Sequence, residues 1–115
     1  MANQIALKVP KTVVKEGSGF NVTSDFRLRD TAAADTPATV RYRLNCLTSG
    51  REILGWTSVS AASQVTIAVT GAQNAILDDS HDYEIKQMIV ESDTDASDQY
   101  RGVVTWRVEN LYSIT

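Results

Sequence analysis

The feature that most constrains this chain is a hydrophobic period of two that recurs along its length and is broken by short polar turns. In TVRYRLNCL, Val40, Tyr42, Leu44 and Cys46 share one side, and Arg41, Arg43 and Asn45 the other. SQVTIAVTG repeats the pattern with Val65, Ile67 and Val69, and YRGVVTWRVEN with Val104, Trp106 and Val108. Such alternation builds half-buried strands, because successive side chains leave a pleated strand on opposite faces. QIALKV alternates through Ile5, Leu7 and Val9 as far as Pro10. A proline cannot donate to a ladder, so an edge strand is expected to break there or change sheet.

Other segments alternate less cleanly. GFNVTSDFRL carries Phe20, Val22, Phe26 and Leu28, with the phase disturbed near Ser24 and Asp25. REILGWTSV offers Ile53, Leu54, Trp56 and Val59, with Trp56 either core or an interface anchor. DYEIKQMIVES is expected to turn Tyr83, Ile85 and Ile89 inward, which would put Gln87 in the core in need of partners. EGSG, TAAADTP, TSGRE, TGAQN, DDSHD and SDTDASD supply turn chemistry between the strands. AQNAILDDS has room for one helical turn. About seven or eight short strands without an amphipathic helix predict an all-β sandwich or barrel.

At 115 residues the chain reads as one domain, 1–115, large enough to bury a core without staples. Hydrophobic residues at 43% and charged residues at 22% argue against disorder. A net charge of -3 disfavours nucleic acid or an anionic membrane as partner. Cys46 is the single cysteine, so no intramolecular disulfide or cysteine zinc site is expected. On the apolar side of its strand it reads as a small buried hydrophobe. No apolar run approaches the roughly 18 residues of a membrane span. MANQIALKVPKTVV has no long apolar run ahead of a small-residue cleavage site, so no secretory signal is expected, and from the opening Met1 a complete product made in a reducing cytoplasm is expected.

Two acidic clusters invite a metal reading: Asp78, Asp79 and Asp82 in LDDSHDY, and Asp93, Asp95 and Asp98 in ESDTDASDQY. The second lacks the central Gly and terminal Glu of a helical calcium loop. The clusters flank one strand, which at roughly 3.3 Å per residue separates them by about 25 Å, too far to share an ion. No metal site is expected, and Asp93–Asp98 reads as an exposed acidic tip. His81, the single histidine, has no nucleophile tied to it by motif, and neither a catalytic residue nor a cofactor is expected. Asn21-Val22-Thr23 matches a glycosylation sequon that has no meaning without secretion. Arg27, Arg29, Arg41, Arg43 and Arg51 would form a positive stripe if their strands adjoin, with a solvated, acid-paired sheet face the favoured reading.

Leu77 stands six residues before Tyr83 with turn-forming residues between, which resembles the tyrosine corner of immunoglobulin-like and fibronectin type III sandwiches. TVVKEGSGFNVTSDF is similar to the first two strands of such a domain, YRLNCLTSGREILGWTSV to its central hairpin, and YRGVVTWRVENL to its last strand. The chain departs from antibody domains in having one cysteine, and from compact fibronectin modules in its longer Val69–Leu77 connection. RYRLNCLTSGREILGW and DYEIKQMIVESDTD also resemble small stand-alone Ig-like virion proteins of tailed bacteriophages.

That resemblance implies an Ig-like, fibronectin type III-like antiparallel β-sandwich and a non-enzymatic structural virion protein. Its expected role is capsid decoration, with the major capsid protein, other virion proteins or a second copy as partners. Assembly in the bacterial host cytoplasm is implied. A tail, collar or head-tail junction component is one alternative. A carbohydrate- or receptor-binding module is another, for which Tyr100 is the nearest loop aromatic. The N-terminal arm, about 1–10, and the tail, about 110–115, are candidate strand-adding interaction segments.

Overall fold

The computed structural model describes residues 4–27, 33–37, 39–78, 80–92 and 100–110. The clean alternations become β4 (Val40–Cys46), β6 (Gln64–Val69) and β8 (Arg101–Glu109). Around them lie β1 (Gln4–Lys8), β2 (Val13–Lys15), β3 (Phe20–Arg27), β5 (Arg51–Val59) and β7 (Tyr83–Glu91). A 3-10 turn, Ala72–Asn74, forms at the start of AQNAILDDS. The strands form two sheets, a narrow one in the order β1-β3-β6 and a wide one in the order β2-β8-β7-β4-β5.

The sheets face each other across one core. Val22 and Phe26 of β3 and Val65, Ile67 and Val69 of β6 meet Val40, Tyr42 and Leu44 of β4, Met88 and Val90 of β7, and Trp106 and Val108 of β8. Burying a side chain of this size stabilises by about 1.5–3 kcal/mol before entropy is counted, so these positions dominate the fold. Phe20 meets Trp106 edge to face, and Phe26 meets Tyr100 in the same way.

Pro10 does what its chemistry requires. The chain leaves the narrow sheet after Lys8 and re-enters in the wide one as β2, parallel to β8. Residues 4–8 of the expected N-terminal arm are therefore built into the sandwich as β1, an edge strand that pairs with β3 from Gln4 to Lys8. Residues 1–3 lie outside the described residues, as do 111–115 of the expected tail. Asn110, at the tail's root, is buried and fixed by bonds to Asp82 O and His81 O.

Two sequence expectations are corrected. In β3 the alternation is unbroken, because Ser24 takes the inward position between Val22 and Phe26. Among the described residues its hydroxyl finds no hydrogen-bond partner, and Leu7 and Val65 flank it on the adjacent strands. Ser24→Ala will raise the urea unfolding midpoint, by up to about 1 kcal/mol in stability, since a desolvated hydroxyl is lost and no bond is broken. A fall in midpoint would mean that the hydroxyl is used.

The second correction is larger. β7 is read one residue out of phase: Glu84, Lys86, Met88 and Val90 are buried, while Tyr83 is exposed and Ile85, Gln87 and Ile89 are half-buried on the outer face. A slip of one position exchanges every side chain between core and solvent. Gln87 is thus outside the core, where it accepts a bond from the Asn45 amide at 3.2 Å.

Candidate functional site

Two polar assemblies stand out, one buried at a pole of the sandwich and one spread over the outer face of the wide sheet. The first begins in the connection from β6 to β7. Thr70 and Gln73 exchange side chain-to-backbone bonds, closing the turn. Asn74 then faces inward and is fully buried. Its Oδ1 accepts the Trp106 indole N–H at 2.8 Å, and its Nδ2 donates to Ser18 O at 2.6 Å. The connection is thereby fastened to the core and to the β2–β3 turn. The two turns approach so closely that a Cβ on Gly71 would sit 2.4 Å from Gly17 O, which requires glycine there.

Beyond Asn74 the chain closes over Glu84. One carboxylate oxygen accepts from Leu77 N at 2.8 Å, from Lys86 Nζ at 2.9 Å and, weakly, from the Cys46 thiol at 3.7 Å. The other accepts from Asp78 N at 3.1 Å and lies 3.0 Å from His81 Nδ1. Lys86 Nζ donates a further bond to Ala75 O at 2.8 Å. Both side chains of the Glu84–Lys86 pair are 0% exposed. Cys46 is therefore buried as expected, but at the rim of a charged network. His81, expected as an exposed turn residue, is half-buried and part of that network.

Burial alone would push the Glu84 carboxyl up. Hydrogen bonds from Leu77 N, His81 and Lys86 outweigh it and hold the group down at about 2, against an ordinary 4.5. Because the folded pKa is depressed, the stabilisation is present above the unfolded value and is lost as pH falls toward about 2. Acid titration followed by circular dichroism will show stability falling from about pH 5 downward, and Glu84→Gln will flatten that dependence. Asp78 lies on the rim. Its carboxyl is also held below the ordinary range, by hydrogen bonds from the Ser80 hydroxyl and amide.

The corner therefore exists, but a different residue pins it. Tyr83 is 43% exposed and its ring lies beneath the Arg107 guanidinium at 3.9 Å, while Glu84 takes the bonds to Leu77 and Asp78. Sequence reading missed Glu84 and Lys86, and the available signal was the E-x-K spacing, which puts both charges on one face of a strand.

The second assembly is the outer face of the wide sheet. Arg41 lies 4.4 Å from the centroid of Trp56 and pairs with Glu91, which Arg101 also reaches at 3.0 Å. Arg43 bonds Asn45 Oδ1 at 3.1 Å and approaches Glu52 at 3.8 Å. This is the acid-paired face favoured from the sequence, though its membership differs. Arg27 ends β3 in the other sheet, Arg51 opens the edge strand β5, and Arg29 lies outside the described residues. Arg101 and Arg107 join the face unpredicted. Trp56 is 39% exposed, whereas Trp106 is core as expected.

Of the acidic clusters, Asp79, Asp93, Asp95 and Asp98 lie outside the described residues. Among the described residues no group of three His, Cys, Asp or Glu side chains is arranged to hold a metal ion. Tyr100, the expected loop aromatic, is buried at 1% exposure, with its hydroxyl donating to Asp35. It is a core residue and is not available to a ligand at the surface.

Among solved structures, the chain is similar to the adhesin InvE of Yersinia pseudotuberculosis, with a TM-score of 0.53 and 11% identity over 91% of this chain and 32% of that one. The chain is an immunoglobulin-like β-sandwich. It spans about a third of the adhesin chain, so the likeness concerns the fold. More distant similarity, with a TM-score of 0.46 and 10% identity over 94% of this chain and 97% of that one, is to a cohesin module of a Clostridium perfringens family 33 glycoside hydrolase. A conjugative transposon lipoprotein from Bacteroides eggerthii gives a TM-score of 0.45 and 16% identity over 91% and 94%. No protein-family model and no curated protein matches the chain.

Proposed function

We propose that this Ig-like sandwich is a non-enzymatic structural protein of a tailed-phage particle that decorates the head by surface complementarity. The observation that carries the docking part of this reading is the outer face of the wide sheet. There Trp56, at 39% exposure, lies beneath Arg41 at one end of the sheet and the exposed Tyr83 beneath Arg107 at the other, with Val103, 50% exposed, between them on β8. Exposed aromatics stacked with arginines are the composition of interface centres, where a few such residues supply most of the binding energy. The buried charges at the corner have no corresponding access to a ligand, since Glu84 and Lys86 spend their hydrogen bonds on each other and on the chain. The phage setting comes from the resemblance of RYRLNCLTSGREILGW and DYEIKQMIVESDTD to stand-alone virion proteins.

On a symmetric shell, many weak contacts per particle would act together, so no single contact need be tight. The test is co-sedimentation of purified protein with undecorated phage heads. Micromolar protein will pellet with the heads, and Trp56→Ala will weaken that pelleting. Protein that stays in the supernatant with heads but pellets with tails would replace head decoration by a tail or junction role.

A further inference from the structure

A sheet ends on a strand with a row of unpaired backbone groups, and soluble proteins guard such rows with charge, proline or a bulge. Three of the edges here are guarded. β1 ends in Lys8 and runs into Pro10, and β2 is a short strand ending in Lys15. β5 opens with Arg51 and Glu52 and is broken by register shifts. β6 has none of these devices: QVTIAV is uncharged and pairs with β3 without a shift from Gln64 to Val69.

Its open row can be identified. Phe26 N donates to Ser63 O, which continues the β3–β6 register. Bonding alternates along an antiparallel pair, so Val65, Ile67 and Val69 bond β3 while Gln64, Thr66 and Ala68 turn their N–H and C=O groups away. At Thr70 the turned-away amide donates to Gln73 Oε1 at 2.9 Å. No such partner meets the backbone of Gln64, Thr66 or Ala68 among the described residues, and all three are exposed.

A strand added there would have a floor to lie on. A Cβ on Gly102 would sit 3.1 Å from Ile5 and from Leu7, so β1 lies over β8, and β6 is on the β5 side of the sandwich. Leu54, Thr57 and Val59 of β5 stand in register with Leu44, Tyr42 and Val40 of β4. The β4 residues are buried, yet their β5 neighbours are only half-buried. The inner face of β5 therefore lacks the cover that the narrow sheet gives β4.

We propose that this ledge accepts an extended segment of a partner protein as a fourth, antiparallel strand of the narrow sheet. Its backbone pairs with Gln64, Thr66 and Ala68, and its alternate, apolar side chains descend on Leu54, Thr57 and Val59. Neither β6 nor those three β5 residues carries a charge, so a charged side chain on the inner face would be buried without a partner. A second copy does not fit. Pairing β6 with β6 about a two-fold axis would set β4 of one copy where β5 of the other already stands. The inference shares with the function proposed above only the premise that the chain is a binding module.

The probe is a short synthetic peptide alternating threonine and valine, N-methylated in one form on every valine and in the other on every threonine. In an antiparallel strand docked with its valines inward, the threonine amides face β6 and the valine amides face away. In an amide NMR titration, the valine-methylated form will give saturable shifts at residues 54–59 and 64–70. The threonine-methylated form loses those backbone bonds and will bind at least about tenfold more weakly. Thr66→Pro deletes an outward N–H and no bond to β3, and will weaken binding of the first form. The peptide pair decides the matter whether or not that variant folds. Absence of saturable shifts at millimolar concentration, equal binding of the two forms, or shifts mapping elsewhere would overturn the proposal. Shifts at residues 64–68 that move with protein concentration alone would assign the edge to a second copy and overturn it too. If the peptides discriminate but protein does not pellet with heads, the head-decoration reading fails and the ledge stands. If protein pellets with heads but the peptides do not discriminate, the ledge fails and the head reading stands.

Discussion

Lys86→Met will destabilise the protein by about 3–5 kcal/mol, because it leaves an ionised carboxylate buried without its counter-charge. Glu84 still has its backbone donors from Leu77 and Asp78, so the variant is expected to fold but to unfold at much lower urea. Glu84→Gln in the same background removes the orphaned charge and will recover a large part of the loss. A double-mutant cycle on urea midpoints measures this coupling. If the two single losses simply add, Glu84 and Lys86 do not act as a pair.

The second large effect is expected at Trp106. Trp106→Ala will cost about 3–5 kcal/mol through the cavity it leaves against Phe20 and the strand neighbours. Trp106→Phe separates packing from hydrogen bonding. It keeps a ring in the core but leaves Asn74 Oδ1 buried without the indole donor, at a cost of about 1–3 kcal/mol. Asn74 also fastens the β2–β3 turn through Ser18, so the Phe variant will loosen that turn. Faster amide hydrogen exchange at Gly17 and Asn74 is the local sign. Unchanged exchange would mean that the indole bond contributes packing alone.

These two sites show where sequence was informative and where it was not. Val40, Tyr42, Leu44 and Cys46 alternate with strongly polar residues, so their inward direction is written plainly, and β6 and β8 are equally clear. Pro10 marks its own crossover because a missing N–H has one structural consequence. β7 was legible as a strand but not as to its faces. Tyr83, Ile85 and Ile89 outweigh Met88 and Val90 on any hydrophobicity count, and Glu84 and Lys86 argue further for the wrong face. Alternation encodes burial only when charges stay outside, and here each charge is buried against the other. Ser24 obscures the β3 alternation more simply, as an uncharged polar residue at an inward position with no partner among the described residues. The site on the outer sheet was half legible: Trp56, Arg41 and Arg43 were in view, but their acidic partners Glu91 and Glu52 come from register, which periodicity does not fix.

The parallel pairing of β2 with β8 has a mechanical consequence. The two strands run the same way, so the chain enters β2 and leaves β8 at opposite ends of their shared ladder. Tension applied through those flanks pulls the strands past each other and loads every bond between them together, including Arg107 N to Thr12 O and Glu16 N to Glu109 O. A hairpin such as β4–β5, tugged apart at the paired residues Val40 and Val59, would instead yield one bond at a time. Optical-trap extension through β2 and β8 will therefore rupture at higher force than extension through Val40 and Val59, and equal forces would contradict this reading. A sandwich pulled through these two strands would therefore resist being stretched.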